Sequence, residues 1–256
     1  MYRITIRFYE ELNDFLPRSL RRRDIEHSFE GRRSVKDLIE SLGVPHVEVD
    51  LILINGDSVD FARIVEDGDR ISVYPVFETF SLENVTRLRP GPLRETRFVL
   101  DVHLGKLARR LRLLGFDTDY REGRDDPELA EISQRENRIL LTRDRGLLMR
   151  RIVTRGMIIR NTNPLFQTRE VLERLDLWSQ CRPFSRCIDC NGIVAPLPEE
   201  DVSLSALRQG IPEGVLEWCR HYYRCSLCGK VYWKGSHYDR LEKIISEILK
   251  RDDTKE

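Results

Sequence analysis

No run of apolar residues in this chain approaches the roughly 20 that a membrane-spanning helix requires. The first residues, MYRITIRFYEEL, alternate apolar with charged side chains and lack the unbroken apolar stretch of a secretory leader. The sequence therefore reads as cytoplasmic, with no membrane partner expected. Motifs for nucleophilic hydrolysis and P-loop chemistry are missing too: there is no G-x-S-x-G turn and no phosphate-loop lysine. No internal repeat or low-complexity tract is present. Cysteine is scarce, at six in 256 residues, and without a leader it does not suggest a disulfide framework.

What the chain has is charge, unevenly spread. Charged residues make up 34% and hydrophobic ones 40%, a globular balance with room for two or three small cores. The net charge is zero, yet residues 1–80 hold 11 Lys and Arg against 16 Asp and Glu, while 81–180 hold 20 against 15. An arginine-rich middle suits contact with phosphates. A solvated helix surface is the plainer account of the same residues.

The first unit is expected over 1–79. RITIRF (3–8) alternates as a half-buried strand does, and DIEHSFEG (24–31) follows after a turn near Pro17. Ser34 caps a helix with Val35, Leu38, Ile39 and Leu42 on one stripe, stopped by Gly43. LILING (51–56) and RISVYPVF (70–77) add two strands. This ββαββ order is that of a β-grasp. The run from Asn55-Gly56 through DGDRISVYPVFE resembles the ubiquitin-like sulfur-carrier proteins, which act through a free Gly-Gly terminus. Here Phe77-Glu78-Thr79-Phe80 stand there and the chain continues, which disfavours sulfur transfer. A docking role toward a protein partner is expected instead.

Residues 80–95, with two prolines and no clear period, read as a linker. Segment 96–180 then alternates strand and helix, the pattern of a parallel sheet with helices on its faces. RFVLD ends in Asp101 and RILLTRD in Asp144, both at the C-terminal ends of strands, where open parallel sheets collect functional groups. Asp126 opens the helix between them; it either caps that helix or reaches the same crevice, and Asp125 competes for either role. Asp119 is a further candidate, and Asp117 reads as a turn residue. Carboxylates converging on Mg²⁺ or Mn²⁺ hydrolyse phosphodiesters without a nucleophilic side chain. Lys106, Arg109 and Arg110 lie opposite a leucine stripe and are expected to be exposed, while Arg143 and Arg145 flank Asp144. All five are candidates to guide an RNA backbone.

The last unit, 181–256, holds Cys187-x2-Cys190 and Cys225-x2-Cys228. Two knuckles of this kind close a tetrahedral, structural Zn²⁺ site, although 34 residues between them is a long gap for a ribbon. Cys181 and Cys219 have no knuckle partner. Trp233, Lys234 and His237 are candidates for base stacking and phosphate contact, with packing of Trp233 as the alternative. A C-terminal helix closes the unit, with Leu241, Ile244, Ile245, Ile248 and Leu249 as its apolar stripe.

Residues 97–160 resemble the PIN-like RNase domain known as the C-terminal domain of the Mut-seven family, in FVLDVHLGKLARRLRLLGFDT, DDPELAEISQRENRILLTRD and RGLL, and the likeness continues into YWKGSHYDR. The resemblance implies Asp101, Asp126 and Asp144 as metal-binding acids of an RNase-like site. Many PIN-like domains carry a further acid or Asn near the third position, where Arg145 and Gly146 stand here. The expectation is thus an α/β and α+β multidomain protein: a ubiquitin-like β-grasp, a PIN-like RNase domain (96–180) and a zinc ribbon. The alternative is a non-catalytic RNA-binding adaptor with a degenerate acid site.

Overall fold

The computed structural model describes residues 1–75, 96–198, 201 and 211–250. The expected end of the fourth β-grasp strand at 76–77, the Phe77-Glu78-Thr79-Phe80 segment and the 80–95 linker lie outside the described residues. The chain forms two compact units, residues 1–103 with 124–158 and residues 104–123 with 159–256.

In the first unit, β1 (Tyr2–Phe8) turns Ile4, Ile6 and Phe8 inward and leaves Arg3 outside, as its period-two pattern requires. It pairs antiparallel with β2 (Ile25–Phe29). Between them, two 3-10 turns, Glu10–Phe15 and Arg18–Leu20, stand where a simple turn was expected near Pro17. The first is stapled by buried Asn13, whose amide donates to the carbonyls of Phe8 at 2.9 Å and Glu10 at 3.0 Å. Helix α1 (Val35–Ser41) opens on Ser34, whose Oγ accepts the Asp37 N–H at 3.1 Å, and buries Val35, Leu38 and Ile39. Strands β3 (Val49–Ile54), β4 (Asp57–Ser58) and β5 (Arg70–Pro75) complete a sheet of order β2-β1-β5-β3-β4, with β1 and β5 parallel at its centre. This is a β-grasp.

Farther along the chain, β6 (Arg97–Leu100), α2 (Gly105–Leu113), β7 (Asp117–Asp119), α3 (Asp126–Arg135), β8 (Ile139–Thr142), α4 (Arg145–Leu148), β9 (Gly156–Ile158) and α5 (Pro164–Arg174) alternate as expected. Within the first unit β6, β8 and β9 run parallel in that order. One hydrophobic core spans this unit, joining Ile6, Phe8, Leu38 and Ile52 of the β-grasp to Val99, Leu140, Leu147 and Leu148. Each fully buried Leu or Ile contributes about 1.5–3 kcal/mol, so separating the two parts would forfeit several such contributions at once.

In the second unit α2 packs on α5, burying Leu107, Ala108 and Leu111. Gly115 ends α2 at φ +96°, and a Cβ there would strike the Arg182 carbonyl and the Ser185 hydroxyl. Strand β10 (Val194–Leu197), helix α6 (Glu213–Trp218) and strands β11 (Tyr222–Cys225) and β12 (Val231–Trp233) follow, the three strands forming an antiparallel sheet in chain order. Helix α7 (Ser236–Leu249) packs on α5 and buries Ile245 and Ile248; Leu241, Ile244 and Leu249 of its stripe are half-buried. Arg169 on α5 satisfies the orphan carbonyls at its end, donating to Glu247 at 2.8 Å and Lys250 at 2.7 Å. No helix among the described residues is long and apolar enough to cross a membrane.

Candidate acidic site and cysteine cluster

Asp101 follows the last residue of β6, and its N–H donates to the Leu141 carbonyl of β8 at 3.1 Å. The parallel register therefore sets it beside Thr142. Thr142 is fully buried, and its hydroxyl donates to Asp101 Oδ2 at 2.8 Å while accepting the Asp144 N–H at 2.9 Å. One hydroxyl thus fixes the buried Asp101 carboxylate and the turn that carries Asp144. Asp144 is exposed and caps α4, its Oδ1 accepting the Gly146 N–H at 2.7 Å. Sequence reasoning missed Thr142, because a threonine at a strand end looks like any β-branched strand residue.

The cap of α3 is settled. Asp125 is the cap, accepting the Glu128 N–H at 2.9 Å, which leaves Asp126 in the first helical turn, 3.9 Å from Arg150. Among the described residues, the only group of three or more Cys, His, Asp or Glu that could hold a metal ion is a set of four thiols; Asp101, Asp126 and Asp144 do not draw together into one. A hydrated Mg²⁺ takes one or two carboxylates and keeps several waters. Thr142 links Asp101 to the backbone of Asp144, while the three acids form no closed cage among the described residues.

The four thiols are Cys187, Cys190, Cys225 and Cys228, with all Sγ atoms within 4.8 Å of one another. Cys187 and Cys228 stand 3.8 Å apart and Cys190 and Cys225 3.3 Å. Zn–S bonds of about 2.3 Å in a tetrahedron put sulfurs roughly 3.8 Å apart, so the cluster fits zinc. Charge points the same way. Burial works to raise the Cys187 pKa, but the Tyr232 hydroxyl, 2.9 Å from its sulfur, and the Cys190 and Asp189 amides overcome this and hold it at about 7. Burial and the neighbouring thiols push Cys190 up to about 12. Four crowded thiols cannot all ionise alone, and a dication removes that conflict. Gly192 is required beside them, since a Cβ there would lie 2.6 Å from Cys225 Sγ.

The first knuckle is braced from α2 and β7. Buried Arg112 donates from Nε to the Thr118 carbonyl at 2.9 Å and from Nη1 to the Asp189 carbonyl at 2.7 Å. Burial lowers its pKa, opposed by Asp119, Cys187 and Cys190. Asn191 donates to Asp117 Oδ1 at 2.9 Å and accepts the Thr118 N–H at 2.9 Å, so Asp117 is a structural residue here. Cys181 and Cys219 stay outside the cluster; Cys219 is buried with its sulfur 3.4 Å from the His221 carbonyl.

The cationic candidates divide. Lys106 and Arg143 are exposed. Arg109 is exposed but pairs with Asp189 at 3.1 Å. The expectation of an exposed Arg110 is corrected: it is half-buried, one guanidinium nitrogen is fully buried, and burial lowers its pKa against the pull of Glu247. A long cationic side chain can bury its stem while its helix position reads as outward, which the leucine periodicity does not register. Arg145 donates to the Phe15 carbonyl at 3.0 Å. Trp233 is half-buried, while Lys234 and His237 are exposed.

With this geometry in place, comparison with known proteins is informative. A family model described as the Mut7-C RNAse domain matches residues 96–245, and one described as Mut7-C ubiquitin matches residues 1–81. No curated protein and no solved structure gives a significant match.

Proposed function

The chain belongs to the Mut7-C RNAse domain family, and on that premise we propose that it hydrolyses RNA phosphodiester bonds at the Asp101–Asp144 pair with Mg²⁺ or Mn²⁺ bound. The observation that carries this reading is the Thr142 hydroxyl joining both acids at the ends of adjacent parallel strands. Asp101 and Asp144 would hold the ion, with Asp126 as a third acid contributing through water. The ion supplies a polarised phosphate and a more acidic water. Asp101, buried and fixed by Thr142, offers its carboxylate without reorganising. Asp144, exposed on its turn, faces solvent, from which water and substrate arrive. Arg143, beside it in sequence, is assigned to the RNA backbone, as are Lys106 and Arg109 on α2 and Lys234, His237 and Trp233 of the ribbon. A structural Zn²⁺ on the four cysteines and a cytoplasmic setting belong to the same reading. So does the division into 1–79, 96–180 and 181–256.

The purified protein is expected to cleave RNA with Mn²⁺ or Mg²⁺, and Asp101→Asn to lower the rate at least about 100-fold. Undiminished cleavage by that variant would remove the proposal. One observation favours a second reading, an RNA-binding adaptor: the three acids do not form a ready-made metal group. That reading wins if the protein binds RNA but neither takes up Mn²⁺ nor cleaves.

A further inference from the structure

We infer that the β-grasp is part of the acidic site's scaffold, with Arg145 as the positioning residue that ties the Asp144 turn to it; the inference rests on the ribonuclease reading above. Helix α4 has four residues, too few to sustain a helix alone. Its place is set by Leu147 and Leu148, both fully buried, and by Arg145 at its first position. The Arg145 guanidinium donates to the Phe15 carbonyl at 3.0 Å and lies 5.0 Å from the centre of the Phe15 ring. That anchor is itself rigid. The turn Glu10–Phe15 is held by Asn13, which besides its two donated bonds accepts the Arg22 N–H at 2.6 Å.

A second tie reaches the neighbouring strand. Glu48, 1% exposed, accepts the Ile158 N–H at 2.6 Å, and Ile158 is the register partner of Thr142. Nearby, His46 lies between Glu40 Oε1 at 2.6 Å and the Val153 carbonyl at 3.0 Å, fixing the segment that enters β9. The β-grasp therefore holds both the helix that follows Asp144 and the strand paired with Thr142, the hydroxyl on which the two acids depend. Arg145, a candidate phosphate contact by sequence, is committed to this grip.

The test uses the full chain. Arg145→Met keeps the apolar stem but cannot donate to Phe15, and Arg143→Met serves as the comparison. Three readouts are taken: Mn²⁺ affinity without RNA, hydrogen exchange at the Asp144 and Gly146 amides, and kcat against KM on RNA. Arg145→Met should speed exchange at those two amides and weaken Mn²⁺ binding by about tenfold each, with lower kcat and unchanged KM. Arg143→Met should raise KM and leave exchange alone. If Arg145→Met instead raises KM with native exchange, Arg145 contacts RNA and the inference is overturned. Should Arg145→Met fail to fold, Glu48→Leu, which removes the acceptor, should speed exchange at Ile158 and Asp144, and native exchange at both would overturn the inference. If the wild type neither binds Mn²⁺ nor cleaves, the ribonuclease reading fails separately, and amide exchange still decides the tie.

Discussion

On the proposed reading, the cysteine cluster and the acidic pair would be two ways of offering a metal a place, and they differ in how much the protein finishes beforehand. The cysteines arrive as two short knuckles, each holding its donors on one turn, and together they present four sulfurs within 4.8 Å. The acids arrive singly from strand ends and meet through one buried hydroxyl, without becoming a group of three donors. A soft, closed site has a folding role and is best completed by protein alone. A hard-cation site that must admit water and phosphate is better left open, its missing ligands coming from solvent and substrate.

The largest effect should come from breaking the closed site. Cys225→Ser, or stripping with a chelator, removes binding energy of about 10–16 kcal/mol that small zinc-dependent segments use to fold. Loss of ordered structure over 187–198 and 211–233, read by hydrogen exchange, is expected. Exchange in β1–β5 should be unchanged, since those strands lie in the other compact unit. Retention of native protection across the knuckles would show that the segment folds without metal. The next effect belongs to the open site. Thr142→Val keeps the shape but deletes the donor to Asp101 and leaves the Asp144 N–H unpaired. A loss of about 1–3 kcal/mol in stability and roughly 10- to 100-fold in Mn²⁺ affinity is expected by calorimetry. A neutral outcome would mean the hydroxyl is incidental.

The same contrast explains what could be read from sequence. Signals confined to a few residues were legible: the Ser34 cap, the two CxxC knuckles, and the strand-end positions of Asp101 and Asp144. So were the β-grasp order and the parallel strands, because each follows from periodicity and turn chemistry. Signals needing a distant partner were not. Glu48 meets Ile158 across 110 positions and Arg145 meets Phe15 across 130, and no local pattern marks either. On α2 the leucine stripe placed the inner face, yet Arg112 is buried and Arg110 half-buried. The helix is covered on more than one side, and backbone carbonyls of β7 and the knuckle satisfy Arg112.

The smallest effect separates the two sites by pH. Tyr232 donates to Cys187 and holds that thiol at about 7, against an ordinary value of 9.0. Tyr232→Phe removes the donor and leaves burial, which raises the pKa, less opposed. Because Cys187 is an acid with a depressed value, the stability it lends is present above 9.0 and is lost as pH falls through about 7. In the variant that loss begins at higher pH, so zinc uptake should need a more alkaline solution. Affinity should fall by about tenfold between those two values, as outer-shell hydrogen bonds to metal ligands typically dictate. Competition against a chromophoric chelator across that range measures it, and a midpoint that does not move would show that the Tyr232 hydroxyl leaves Cys187 untouched. Mn²⁺ binding at the acidic pair should be unaltered by the substitution, since Asp101 and Asp144 belong to the other compact unit and owe their placement to Thr142.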